Sequence, residues 1–220
     1  MRIAIACSKD WFLRNQKKNI KKYFLIKNKN GLNYKNLKKK KIKYIFFPHW
    51  SYIIPKKIYE NFDCIIFHTG NLPKNRGGSP IQNLILNGYK YSYVNAIKVG
   101  KTLDGGPIYA KKKILLKGSL DEIFYSISQK IFIIMKYIIK KNPKPKKQSG
   151  KVSYFKRLDE TNSTIDKNIG NLGKLYDKIR MLDSDSYPNA NFNIHNFNFS
   201  FRNALRKGQK LYTKCIIKKI

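Results

Sequence analysis

Cysteine is nearly absent from this chain: Cys7, Cys64 and Cys215 stand far apart and form no CxxC pair. That spacing excludes a zinc ribbon and a disulfide framework. Cys7 and Cys64 fall in apolar strands and read as buried thiols, which suits a reducing compartment. Long apolar runs are missing too. Residues 3–7 are too few for the core of a signal peptide, and residues 131–139, interrupted by Lys136, fall short of a bilayer span. A soluble cytoplasmic protein with no membrane contact is expected. Carboxylates are the third scarcity, with 12 Asp and Glu against 47 Lys and Arg and a formal net charge of +35.

Such a charge taken alone points to nucleic acid or an anionic surface, because clustered cations release counterions from phosphates. The cations, however, are 40 Lys and only 7 Arg, beside 30 Ile and 22 Asn. Geometric phosphate recognition favours the planar fork of Arg. The Lys-Asn-Ile excess therefore reads first as translation of an A+T-rich genome, with Lys spread over solvated faces, and second as a polyanion site. With 42% hydrophobic and 14% aromatic residues in 220, the chain has enough apolar side chains for a real core, and wholesale disorder is excluded.

Along the chain, apolar strands alternate with helical patterns, the signature of a parallel α/β sheet. Residues 2–7 read as a buried strand, and Asp10 as the cap of a helix from Trp11 toward Ile20. The Lys- and Asn-rich stretch 17–43 predicts a short strand and a mobile loop. Strands follow at 43–47 and 64–68, with a short helix begun by Pro55 between them. Ser79-Pro80 opens a helix stopped by Gly88, and strands at 91–99 and 108–115 flank a turn at 103–106. Ser119 to Glu122 forms a capping box for a long amphipathic helix that Pro143 ends. Residues 142–150, rich in Pro, Lys and Gly, read as a linker. Three domain-level segments follow: 1–141, the linker 142–150, and a small subdomain at 151–220 with a strand at 152–155, a helix at 172–182 and strands through Phe197–Phe201 and 211–217.

The most specific signal lies between Asp63 and Ile108. A strand ends in His68; then come Leu72-Pro73, the Arg76-Gly77-Gly78-Ser79-Pro80 turn, and Leu103-Asp104-Gly105-Gly106. This ordered set resembles the folate-dependent formyltransferases, whose pattern is Asn-x-His-x-Ser-Leu-Leu-Pro-x-x-Arg-Gly followed by Leu-Asp-x-Gly. Two positions depart: Ile66 stands where the family has its catalytic Asn, and Gly70 where it has Ser. The resemblance implies a Rossmann-like α/β domain with a mostly parallel central sheet flanked by helices, plus a small C-terminal α+β subdomain. It also implies 10-formyltetrahydrofolate as formyl donor and no metal.

Formyl transfer needs hydrogen-bond donors for an oxygen that gains negative charge and a group that takes a proton from the amine. His68 and Asp104 suit those roles, the carboxylate orienting the ring. With Ile66 unable to donate, Asn71 is the nearest side-chain amide to supply the missing donor, Thr69 and backbone N–H groups being the alternatives. The resemblance puts the folate pocket at the 48–55 loop, with Trp50, Ser51 and Ile53, and at Leu103 and Asp104; Trp50 reads equally as a rim aromatic. Lys9, Arg76, Gly77 and Arg180 are its acceptor-side residues, Gly77 sitting in a turn that opens a helix N-terminus. The stretch Leu175 to Pro188 resembles an element of the sugar-nucleotide members, and 70 residues after the linker leave little room for a full tRNA-binding barrel. The reading is therefore formylation of a nucleotide-linked amino sugar. The alternatives are a methionyl-tRNA formyltransferase-like enzyme and a nonenzymatic basic RNA-binding protein. The oligomeric state stays open, a homodimer included.

Overall fold

The computed structural model describes residues 2–220. Its strands and helices, in order, are β1 (Arg2–Cys7), α1 (Asp10–Asn15), β2 (Phe24–Ile26), α2 (Tyr34–Lys39), β3 (Ile42–His49), α3 (Lys56–Tyr59), β4 (Asp63–Thr69), β5 (Arg76–Gly77), α4 (Pro80–Leu86), β6 (Tyr91–Lys98), β7 (Ile108–Leu115), α5 (Leu120–Lys141), β8 (Tyr154–Phe155), α6 (Leu172–Arg180), β9 (Ala190–Ile194), β10 (Phe197–Lys207) and β11 (Lys210–Lys219). The main sheet runs β2-β1-β3-β4-β6-β7. Its first four strands are parallel, whereas β6 and β7 are antiparallel additions. The fold is the expected α/β sheet, with helices on both faces.

Alternation along β1 shows why the strands are buried on both sides. Ile3, Ile5 and Cys7 enter one core with Trp11, Phe124 and Met135, while Ala4 and Ala6 enter the other with Leu37 and Ile58. Helix α5 supplies the largest cover. Ile123, Ile127, Ile131, Ile134 and Ile138 are buried along one stripe, each contributing about 1.5–3 kcal/mol of apolar burial. Its start is fixed by the capping box: Ser119 Oγ accepts from the Glu122 N–H, and a Glu122 carboxylate oxygen accepts from the Ser119 N–H at 2.8 Å.

Two local expectations change. Helix α1 stops at Asn15 instead of running to Ile20, and Lys9, not Asp10, is its N-cap. Gln16, just beyond, is buried and donates to Ser128 Oγ at 3.3 Å, so the chain leaves the helix to make a tertiary contact. The stretch expected as strand and loop also contains α2, capped by Asn33 and held by the single buried residue Leu37.

Residues 142–150 thread along the sheet: Ile108 and Lys146 exchange backbone hydrogen bonds at 2.8 and 2.9 Å, and β8 pairs in parallel with β5. Further on, Ile165, Ile179, Met181, Leu182 and Ala190 join the α5-side core. The antiparallel sheet β11-β10-β9 closes the chain. Among the described residues no helix is long and apolar enough to cross a membrane.

Candidate functional site

The parallel strands β3 and β4 end side by side, and the chain leaving them opens a cleft of about 720 Å³ at their C-terminal ends. Such strand ends are where open α/β sheets place ligands, because the loops diverge there and leave a crevice. The cleft is walled by the ends of β3 and β4, the 77–82 turn and helix start, Leu103-Asp104, the inner face of α5, and two crossings by residues 154–162 and 182–188.

His68, only 6% exposed, points its two ring nitrogens at two acceptors. Nδ1 lies 3.3 Å from Asp104 Oδ2, and Nε2 lies 2.7 Å from the Asn75 carbonyl oxygen. A neutral imidazole can donate to only one of these, whereas a ring protonated on both nitrogens donates to both. Asp104 Oδ2 also accepts from the Gly77 N–H at 3.0 Å, which ties the carboxylate to the Arg-Gly-Gly turn. Asp104 has φ +49, a left-handed conformation that Asp and Asn adopt more readily than other side chains.

The surroundings explain several sequence features. A Cβ on Gly70 would lie 2.9 Å from both His68 Nε2 and the Asn75 carbonyl oxygen, so the family's Ser would collide with the ring as placed here. A Cβ on Gly106 would fall 1.8 Å from the Lys98 carbonyl oxygen, which accounts for the second glycine of the Leu-Asp-Gly-Gly turn. Buried Asn95, opposite His68 on β6, donates to the carbonyls of His68 at 3.2 Å and Gly70 at 2.7 Å. Gln148 donates to the carbonyls of Asp104 and Gly106 at 2.7 and 2.8 Å and accepts from Arg76 Nη2 at 2.8 Å. Asn95 and Gln148 therefore hold the backbone under the His68–Asp104 pair.

The structure brings Lys9, Trp50, Ser51, His68, Gly77, Leu103 and Asp104 together around the cleft. Ile66 lines it as well, two residues from His68 on the same strand face. Four residues expected at the site lie elsewhere, and those expectations are corrected. Asn71 is exposed and outside the cleft, its backbone N–H donating to Asn75 Oδ1, because the loop turns away after Gly70. Ile53 is 92% exposed beyond the cleft wall. Arg76 is buried behind the turn on Gln148. Arg180 is buried against the carbonyls of Leu116 and Gly118 and the carboxylate of Asp177, so it braces α6 and contacts no cleft space.

Sequence reading missed Trp11, Gln82, Arg157 and Tyr187, which all line the cleft. Trp11 and Gln82 resemble ordinary helix-face residues in the sequence, and Arg157 sits in a stretch with no motif. Trp11 stacks on Phe124 at 4.7 Å and meets His49 edge-on at 6.1 Å. Burial, followed by the positive charges of Lys9 and Arg157, pushes the His49 pKa down to about 4. Burial also raises the Tyr187 hydroxyl. The Cys7 and Cys64 thiols are pushed up to about 12, mainly by burial. No group of three metal-binding side chains occurs among the described residues.

Residues 15–128 match the family described as formyl transferase, and residues 160–218 match the family described as methionyl-tRNA formyltransferase, C-terminal domain. The chain is 40% identical to a solved structure of methionyl-tRNA formyltransferase from Clostridium thermocellum, with a TM-score of 0.92 over 100% of this chain and 99% of that one. It is 30% identical over 138 residues to the methionyl-tRNA formyltransferase of Thermodesulfovibrio yellowstonii, covering 58% of this chain and 44% of that protein. The chain spans about half or less of the length of the first curated relatives it matches. A sugar N-formyltransferase from a Shewanella species shares the fold, with a TM-score of 0.69 at 17% identity over 95% of this chain and 99% of that one. By its matched length and its full-length likeness, the chain belongs to the formyltransferase family.

Proposed function

We propose that this protein transfers a formyl group from 10-formyltetrahydrofolate to the amino group of methionyl-tRNA. The observation that carries the choice of acceptor is the C-terminal segment. Residues 160–218 are similar to the C-terminal domain of methionyl-tRNA formyltransferases, and likeness to one such enzyme runs the full length at 40% identity, against 17% for the sugar enzyme. This replaces the amino-sugar reading, whose supporting stretch contains Arg180, a brace outside the cleft. Charge agrees. Residues 190–220 carry seven Lys and Arg and no Asp or Glu, and Arg206, Lys207, Lys210, Lys214, Lys218 and Lys219 are exposed. A carboxylate-free basic sheet suits a phosphate backbone.

The cleft suits the folate on this chain's own evidence. Trp50 packs edge-on against Phe47 and Tyr52 and buries its indole N–H without a partner among the described residues, leaving a donor inside an apolar wall. When bound, the folate would supply the activated formyl carbon that the amine attacks, and would leave as tetrahydrofolate when its nitrogen's bond to that carbon breaks and the nitrogen takes up a proton. His68 Nε2 shares the N–H it directs at the Asn75 carbonyl with the oxygen on which negative charge grows, Asp104 holds the ring at Nδ1 and takes up the proton the amine sheds, and Gly77 N–H keeps the carboxylate in place. Ile66 contributes shape and excludes water at the position where a family amide would donate. The test is formyl transfer to methionyl-tRNA by wild type and by Lys207→Gln/Lys210→Gln/Lys214→Gln. The triple variant is expected to raise the KM for tRNA, most strongly at low salt and with a shallower salt dependence than wild type, while leaving the KM for the folate unchanged. Absence of transfer to methionyl-tRNA in the folded wild type would refute the proposal.

A further inference from the structure

Strands β6 and β7 form the outer margin of the main sheet, and their two faces differ. Ser92, Val94, Ala96 and Ile114 are buried, the last three in the core that α5 covers. The residues between them turn to the other face. There Tyr91 stands opposite Leu115, Tyr93 opposite Lys113 and Asn95 opposite Lys111. Asn95 is buried against the carbonyls of His68 and Gly70, whereas Tyr91, Lys111, Lys113 and Leu115 are exposed, Tyr91 by 46% and Leu115 by 64%. This open face also turns away from the C-terminal basic sheet, because Ala190, Phe192, Phe201 and Leu211 pack with the α5-side core.

On the open face each tyrosine carries a lysine. Lys113 Nζ lies 4.0 Å from the centre of the Tyr91 ring, and Lys111 Nζ lies 5.0 Å from that of Tyr93. Both lysines reach diagonally across the strand pair, so the unit of ring and cation repeats after two residues, about 6.8 Å along the strand. The two rings meet edge to face at 6.1 Å. Neither lysine forms an ion pair among the described residues. Asp104, the carboxylate beside His68, is the only one between residues 64 and 120. Strand β7 is a free edge of the sheet, and lysines on an edge hinder pairing with other chains. That role needs charge alone and gives no account of two tyrosines left open beside the charges.

We propose that the open face of β6 and β7 is a docking surface for single-stranded nucleic acid, separate from the C-terminal surface assigned to methionyl-tRNA. Bases stack on Tyr91 and Tyr93, and Lys111 and Lys113 take the adjoining phosphates. A single strand repeats an aromatic face and a negative charge in every unit, which matches the repeated ring and cation, whereas a duplex keeps its base faces inside the stack. An acidic peptide would satisfy the lysines and leave the rings without partners. An apolar partner would bury Tyr91 and Leu115 and strand both lysines. Cation–π contact keeps each lysine beside its ring, so base and phosphate are met together.

A fluorescein-labelled oligouridylate of about ten nucleotides, within the usual site size, is titrated into the full chain by fluorescence anisotropy, with unlabelled inorganic polyphosphate of similar charge as competitor. The oligouridylate is expected to bind, and polyphosphate, which has no ring to stack, to compete at least about tenfold less well than unlabelled oligouridylate. Tyr91→Ala/Tyr93→Ala should weaken oligouridylate binding at least about tenfold, and Tyr91→Phe/Tyr93→Phe, which keeps both rings, should stay within about threefold of wild type. Lys111→Gln/Lys113→Gln should flatten the slope of log affinity against log salt by about 1.4, the loss of two phosphate contacts on a single strand. The KM for methionyl-tRNA should stay within about twofold of wild type in all three variants. The binding measurements need no turnover, so they decide the proposal whatever the outcome of the formyl-transfer assay. Absence of oligouridylate binding, equal competition by polyphosphate, wild-type affinity in the folded Ala variant or an unchanged salt slope in the Gln variant would overturn it. A methionyl-tRNA KM that rises in step with the loss of oligouridylate affinity would assign the face to the substrate and overturn the claim of a separate surface.

Discussion

Replacing Asp104 by Asn separates the charge of that side chain from its shape. Asn has nearly the same volume and tolerates the left-handed backbone at φ +49, and its amide oxygen can still accept from the Gly77 N–H. What disappears is the negative charge 3.3 Å from His68 Nδ1, on side chains that are only 6% and 8% exposed. A hydrogen bond to a charged group contributes about 1.5–3 kcal/mol. At about 1.4 kcal/mol per factor of ten, kcat/KM for formyl transfer should fall roughly 10- to 150-fold. The same contact also holds the folded site, so the melting temperature should fall by at most about 10 °C, with packing and backbone unchanged. Asp104→Ala loses the Gly77 contact as well and should melt lower than the Asn variant. Steady-state kinetics and thermal melts on the three proteins make the comparison. Turnover of Asp104→Asn within twofold of wild type, in a protein that melts normally, would refute the assignment of Asp104 to the reaction.

Asn71→Ala should leave turnover and folate affinity within about twofold of wild type, because the side chain is exposed and outside the cleft; a loss above tenfold in the folded variant would return Asn71 to the site. Stability should fall as pH drops from about 6.5 to about 4, since His49 stays neutral when folded and takes up a proton only when unfolded; above pH 6.5 it is neutral in both states and contributes no slope. That contribution is at most about 3 kcal/mol, less to the extent that water reaches the partly covered ring. Urea unfolding of His49→Gln across this range should show a shallower decline than wild type, and equal slopes would contradict the cause given. A thiol reagent at neutral pH should modify Cys215 alone in the native protein, because Cys7 and Cys64 are buried with thiols pushed up to about 12; rapid modification of either buried thiol, read by peptide mass, would speak against the core as placed.

Much of the candidate site is legible in the amino-acid order because its motif is local. The strand before His68, the Arg-Gly-Gly turn and the Leu-Asp-Gly-Gly turn each have turn or cap chemistry that identifies them, and all three converge in space. The capping box and the Ile stripe of α5 are equally readable. What escaped reading is set by tertiary contacts. Helix α2 carries one buried apolar residue in a Lys-rich stretch, so its periodicity is too weak to see. Gln148 sits in the segment read as a linker, whose Pro, Lys and Gly composition gives no sign of the three hydrogen bonds it makes beneath the Asp104 turn. Asn71 shows the opposite error, for nearness in sequence to His68 says nothing about which way a loop turns. Arg180 likewise sits in a stretch that looks like a substrate element and spends its donors on backbone carbonyls. The place of Trp11 and Gln82 in the cleft wall becomes visible only once the chain is folded.

The most direct measurement offers the wild-type protein 10-formyltetrahydrofolate together with methionyl-tRNA and a panel of nucleotide-linked amino sugars in one reaction, with His68→Ala as control, and follows formylated products by mass spectrometry. The expected result is formyl-methionyl-tRNA as the dominant product, lost by on the order of a hundredfold or more in His68→Ala. Formylation of an amino sugar in preference to methionyl-tRNA, or equal product from wild type and the His68 variant, would contradict it.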